Sequence, residues 1–164
     1  MSRRPTEGEE APDFCLPDER GEMFCLLEAL NEGPIMLVFY PGDFTPVCTR
    51  QLCSYGDRYD DFRQLGLRIV GISDDPVEQH ARFRREKDLP FTLLSDPDHR
   101  VIDQYGGSGL LSGGGAHRAN FLIDSNGSIR YAHVEKISIT HRRPEQLLQV
   151  ARRLWGSPSQ GNED

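Results

Sequence analysis

The chain has 164 residues, with 19 basic and 26 acidic side chains and a formal net charge of −7. That length fits one domain able to bury its own core, and the acidic balance argues against a phosphate-backbone partner, which needs a basic face. No stretch approaches the ~18 consecutive apolar residues of a membrane helix. The opening MSRRPTEGEEAPDF lacks the apolar core of a secretory signal, so a cytoplasmic, reducing setting is expected. In that setting the 4 cysteines are expected to be catalytic, metal-binding or inert rather than a disulfide frame. The arginine runs at 82–85, 142–143 and 152–153 read as solvated faces.

In chain order, residues 13–16 and 23–26 flank a polar turn at 18–21 and suggest a small hairpin. Ile35-Met36-Leu37-Val38-Phe39-Tyr40 is an unbroken apolar run, the pattern of a central strand covered on both faces. A helical pattern follows over 46–65, then a second strand over 67–72. Asp75-Pro76-Val77-Glu78 is a helix start, with Asp75 as N-cap, for a helix running to about residue 87. Residues 91–94 form a short strand, and Asp96-Pro97 opens a helix stopped by Gly106. Beyond a glycine-rich loop at 106–115, residues 119–124 and 128–134 predict an antiparallel hairpin around Ser125-Asn126-Gly127. Asn126-Gly127-Ser128 also matches a glycosylation acceptor, but reads as that turn. A last amphipathic helix begins at Pro144 and ends before Gly156. Residues 1–8 and 157–164 are expected to be flexible ends of a single 1–164 domain. The element order predicts an α/β fold with a mixed sheet.

The chemistry is concentrated in Tyr40-Pro41-Gly42-Asp43-Phe44-Thr45-Pro46-Val47-Cys48-Thr49-Arg50-Gln51-Leu52-Cys53. A buried strand ends, a Pro/Gly loop turns, and a cysteine falls in the first turn of the next helix. There it faces unpaired backbone N–H groups and the positive end of the helix dipole, both of which favour thiolate over thiol. Thr45 reads as a helix cap, as a hydroxyl near the sulfur, or as both. Pro41 reads as a turn proline or as a shield for a pocket. Cys48, Leu52, Tyr55, Tyr59 and Phe62 share one helical stripe, which places Cys48 on the buried side.

Cys53 lies five residues on, about 140° around the helix, with its Cα roughly 8.6 Å from that of Cys48. This exceeds the ~7 Å limit for a disulfide, so a bond between them requires the helix start to unwind. Gly56, unfavourable by ~1 kcal/mol in a helix interior, would ease that opening. Cys15 and Cys25, each in a strand-like stretch, read as small buried hydrophobes. The C-x4-C spacing is looser than a zinc motif, with no matching Cys or His pair after it, so no metal site is expected.

The string Pro41-x-x-x-Thr45-x-x-Cys48 resembles the active-site signature of the peroxiredoxins. The cysteine five residues later resembles the peroxiredoxin-Q, or bacterioferritin comigratory protein, subfamily. Ala11-Pro12-Asp13-Phe14, Ser95-Asp96-Pro97, Tyr105-Gly106 and His117-Arg118-Ala119-Asn120-Phe121 extend the resemblance over residues 7–155. It implies a thioredoxin-like fold with an N-terminal β-hairpin extension. It also implies a peroxidase that uses no cofactor and reduces hydrogen peroxide and organic hydroperoxides.

Carried over by position, Cys48 is the attacking thiolate and Cys53 the resolving thiol. Thr45 hydrogen-bonds the sulfur or the peroxide, Arg118 steadies the thiolate and the leaving oxygen, and Pro41 shields the pocket. Thioredoxin or a similar thiol is the implied reductant, acting on a monomer or weak homodimer. Alternatives are a single-cysteine peroxidase in which Cys53 is structural and a thiol-disulfide oxidoreductase on the same fold, while Cys15 or Cys25 could serve as resolver. Gln51 stands where many members carry Glu. The glycine-rich loop lacks the Lys-Ser/Thr of a phosphate-binding loop and reads as a flap near the arginine.

Overall fold

The computed structural model describes residues 4–106, 117–135 and 140–156. Five strands form the central sheet in the order β5-β4-β3-β6-β7. These are β3 (Ile35–Phe39), β4 (Arg68–Ser73), β5 (Thr92–Ser95), β6 (Ala119–Ile123) and β7 (Ile129–Val134). Strands β3, β4 and β5 run parallel, and β6 and β7 add an antiparallel half. The apolar run at 35–39 is the middle strand, and every residue in it is buried. Its alternation divides the core. Ile35, Leu37 and Phe39 face one layer, whereas Met36 and Val38, with Tyr40 following, face the other.

The first layer holds the N-terminal hairpin, β1 (Cys15–Pro17) and β2 (Met23–Cys25), then α1 (Leu26–Ala29) and α5 (Arg100–Gln104). The second holds α2 (Pro46–Asp57), α3 (Tyr59–Arg63), Phe83 of α4 (Val77–Glu86) and α6 (Pro144–Trp155). The mixed sheet and the hairpin extension agree with the sequence reading. The expected helix over 46–65 is interrupted at Arg58, whose φ −108° and ψ 12° leave the helical region. Helix α1 was not foreseen, being a single turn after the hairpin.

The N-terminal stretch is tied to the second hairpin, with the Gly8 N–H donating to the Ile129 carbonyl at 2.8 Å. At the turn around Gly127 (φ +88°), the Asp124 carboxylate accepts from the N–H groups of Asn126 and Ser128. The glycine-rich loop and the C-terminal tail, except Gly106, lie outside the described residues.

Two expectations require correction. Asp75 is not the cap of α4; Pro76 occupies that position, and Asp75 instead turns its carboxylate toward Asp43, Ser73 and Gln79. Cys15 and Cys25 are not small buried hydrophobes. They are cross-strand partners with Cα atoms 4.1 Å apart, joined as a disulfide, and Cys15 is exposed. Period-2 alternation explains this, because Leu16 and Phe24 between them turn inward and send both cysteines outward.

Candidate active site

Strand β3 delivers the chain to the carboxyl edge of the sheet, where a loop of residues 40–45 leads into α2. Thr45 occupies the N-cap position and Pro46 the first helical position, where a missing N–H costs nothing. The Thr49 N–H is bonded to the Thr45 carbonyl at 2.8 Å, so the N–H groups of Val47 and Cys48 lie ahead of the helical ladder. Cys48 is fully buried and packs with Met36, Val38, Leu52 and Tyr55, as the helical stripe requires. Tyr59 of that stripe is only partly buried, because the break at Arg58 resets the phase.

Arg118 immediately precedes β6 and reaches across the sheet edge. Its Nη1 donates to Cys48 Sγ at 3.0 Å and to Gln51 Oε1 at 2.9 Å, with the side chain nearly buried. A guanidinium donor at that distance stabilises negative charge on sulfur, through a charge-assisted bond about twice as strong as a neutral one.

Gln51 is fully buried and connects this pair to a further chain of bonds. Its Nε2 donates to the Tyr55 hydroxyl at 3.1 Å, and that hydroxyl donates to the Arg142 carbonyl at 2.7 Å. Asn120 Nδ2 also approaches the Tyr55 oxygen, at 3.4 Å. Burial pushes the Tyr55 phenol up to about 12, against the lowering hydrogen bonds from Gln51 and Asn120, so it remains a donor at neutral pH. An amide suits this place. Its oxygen accepts from Arg118 while its NH2 leaves the Tyr55 hydroxyl free to donate elsewhere, whereas a carboxylate, which can only accept, would draw the Tyr55 O–H hydrogen bond to itself.

Thr45 does not cap α2 with its side chain. The hydroxyl donates back to the Gly42 carbonyl at 3.1 Å, closing the loop that Pro41, half-buried, begins.

Cys53 points the other way. It is half-buried and lines a cleft of about 430 Å³ with Gly56, Lys87, Leu89 and Pro90. Burial pushes its thiol up, partly offset by the Lys87 charge. The cleft also explains Gly56. A Cβ there would sit 3.0 Å from Pro90 Cδ, so glycine allows α2 and the 88–90 turn to approach closely.

A second buried cluster, missed by the sequence reading, holds the loop from behind. His80 Nδ1 lies 2.6 Å from Asp43 Oδ2, and both side chains are fully buried. Asp43 Oδ1 accepts from the Tyr40 hydroxyl at 2.7 Å, and the Asp43 N–H donates to Asp75 Oδ2 at 2.7 Å. His80 Nε2 faces the Leu94 carbonyl at 2.9 Å. The carbonyl can only accept, so Nε2 carries a proton. Burial, with the Asp43 charge, raises the Tyr40 phenol well above its ordinary range. Ligand atoms of Asp43, Asp75 and His80 come within 4.8 Å of one another, but all are already committed to these hydrogen bonds.

Helix α4 also grips Phe44, a non-glycine residue at φ +66°. Phe83 packs edge-on to its ring at 4.9 Å between centroids, and the Arg82 guanidinium lies 4.7 Å above it. His80 and Phe83, three residues apart, are the buried residues of α4.

A family model described as AhpC/TSA matches residues 8–132. The chain is 40% identical over 129 residues to peroxiredoxin Bcp of Escherichia coli K12, an alignment covering 76% of this chain and 82% of that protein. It is 36% identical over 128 residues to chloroplastic peroxiredoxin Q of Oryza sativa subsp. japonica, covering 78% of this chain but only 58% of that longer relative. Among solved structures, the peroxidoxin BcpB of Mycobacterium tuberculosis superimposes with a TM-score of 0.82 at 31% identity, covering 91% of this chain and 97% of that one.

Proposed function

The chain belongs to the AhpC/TSA family, in its peroxiredoxin Q/Bcp branch, and from that premise we propose that it is a thiol-dependent peroxidase with Cys48 as nucleophile and Cys53 as resolving thiol. The observation that carries the reading is the Arg118 Nη1 donor 3.0 Å from the Cys48 sulfur, at the first turn of a helix.

The Cys48 thiolate attacks the terminal oxygen of a hydroperoxide. The O–O bond breaks, the alkoxide or hydroxide leaves with a proton as alcohol or water, and Cys48 becomes a sulfenic acid. Arg118 faces both the charge that the sulfur gives up and the charge that develops on the departing oxygen. Thr45 and Pro41 complete the pocket wall. The Thr45 hydroxyl, now bonded to Gly42, turns toward the peroxide on binding.

Cys53 then attacks the Cys48 sulfur as thiolate, hydroxide leaves as water, and an intrachain disulfide forms. The two thiols diverge on an intact helix, so the first turns of α2 unwind for this step. An external dithiol, thioredoxin or a similar protein, restores both thiols by exchange. A reducing compartment such as the cytoplasm suits that cycle, and no described helix is long and apolar enough to cross a membrane.

The test is peroxide consumption in the presence of thioredoxin, its reductase and NADPH. Cys48→Ser abolishes turnover, and Cys53→Ser retains one round of peroxide reaction but recycles poorly. Turnover surviving in Cys48→Ser would end this reading.

A further inference from the structure

The Cys15–Cys25 disulfide is not explained by the peroxidase reading. It lies on the far side of the sheet from Cys48. Leu16 beside it packs into the layer of Ile35, Leu37 and Phe39, whereas Cys48 packs into the layer of Met36 and Val38. In this arrangement neither cysteine faces Cys48, and each is bonded to the other.

The hairpin is secured without the bond. Leu26 is fully buried, and Leu16 and Phe14 are nearly so. The Asp18 carboxylate accepts from the N–H groups of Arg20 and Glu22 to build the turn. Glu19 accepts from the Leu93 N–H, and Asp18 bridges to Leu94, so the turn is moored to the edge of β5. Opening the disulfide would leave these contacts in place.

The outer face of the hairpin has the character of an exchange site. Cys15 is exposed, and its neighbours on that face are Pro17 and Met23, the latter 67% exposed. Cys15 lines a cleft of about 350 Å³ with apolar walls from Pro17, Met23, Pro76 and Pro97, and with Arg100 beside the carboxylates Glu78, Asp96 and Asp98 among its polar groups. Exchange requires a thiolate to approach one sulfur in line with the bond, so access decides which disulfides are labile.

We propose that Cys15–Cys25 is a second redox centre, opened by an external protein dithiol that attacks Cys15 Sγ from this cleft and acting independently of Cys48. The incoming thiolate bonds to Cys15, and Cys25 departs as a thiolate and takes up a proton. The reductant's second thiol then displaces Cys15, so two electrons and two protons pass to the pair and the reductant is left as a disulfide. The inference does not rest on the peroxidase reading, because it concerns the pair alone.

The test uses the full chain carrying Cys48→Ser and Cys53→Ser, so that only this pair can react. Thioredoxin with its reductase and NADPH, and no peroxide, is expected to consume a single equivalent of NADPH per chain. Alkylation without denaturant should then label both cysteines. A thioredoxin variant lacking its second cysteine should be trapped on Cys15. Cys15→Ser/Cys25→Ser should fold and react with peroxide at the wild-type rate. A bond that opens only in denaturant, trapping on Cys25, or a Cys15→Ser/Cys25→Ser chain that fails to fold would overturn the proposal, as would finding both thiols free in air-oxidised protein.

Discussion

Arg118 and Gln51 meet at 2.9 Å, Nη1 to Oε1, and the same Nη1 lies 3.0 Å from the Cys48 sulfur. The group that senses charge on the sulfur is thus aimed by a neutral amide, which is held in turn by a tyrosine that stays protonated. Replacing Arg118 by Met keeps bulk and removes the donor. The rate of peroxide reaction, followed by stopped-flow fluorescence, is expected to fall by about 10²-fold, the usual cost of losing one aimed donor.

Gln51→Glu separates two functions of this residue. A carboxylate still accepts from Arg118 but, having no N–H, draws the Tyr55 O–H into donating to it, so the 2.7 Å bond to the Arg142 carbonyl is lost. The variant should retain peroxide reactivity and lose about 1 kcal/mol of stability, the worth of one such bond. Gln51→Ala should lose both reactivity and stability. Urea unfolding and stopped-flow on the two variants check this.

His80→Ala leaves the Asp43 carboxylate buried with only the Tyr40 hydroxyl and no imidazole. Removing one partner of a buried pair costs about 3–5 kcal/mol. Urea unfolding is expected to show a loss of that order, with slower peroxide reaction because the loop bearing Thr45 loses its anchor. His80→Gln, which can still donate to Asp43, should lose less of both.

The Cys53 thiol is raised by burial and lowered by Lys87. In a Cys48→Ser background, the rate of Cys53 alkylation should therefore rise with pH through a midpoint above the ordinary thiol value. Lys87→Met should move that midpoint higher still. The sign for stability follows: a thiol whose pKa is raised on folding favours the folded state at neutral pH, and that contribution is lost as pH climbs through the raised value.

Much of the site could be read from residue order because it is local. The stripe Cys48, Leu52, Tyr55 is a property of one helix, so its phase fixed which side Cys48 faces and how far away Cys53 must be. Arg118 was reachable only through family resemblance, since nothing in the spacing of 48 and 118 reveals that β6 lies beside β3. His80 left no usable signal, because a histidine in an arginine-rich helix looks solvated until the loop at 43 is folded over it. Cys15 and Cys25 were misread because hydrophobic alternation in strands of 3 residues is too short to show which face turns inward.

The most direct measurement is disulfide mapping by mass spectrometry after fully reduced protein has met a single equivalent of hydrogen peroxide. A Cys48–Cys53 bond formed within the chain, and absent from Cys48→Ser, is the expected result. A stable sulfenic or sulfinic acid on Cys48 with Cys53 still free would contradict the resolving role, and an unoxidised Cys48 would contradict the peroxidase itself.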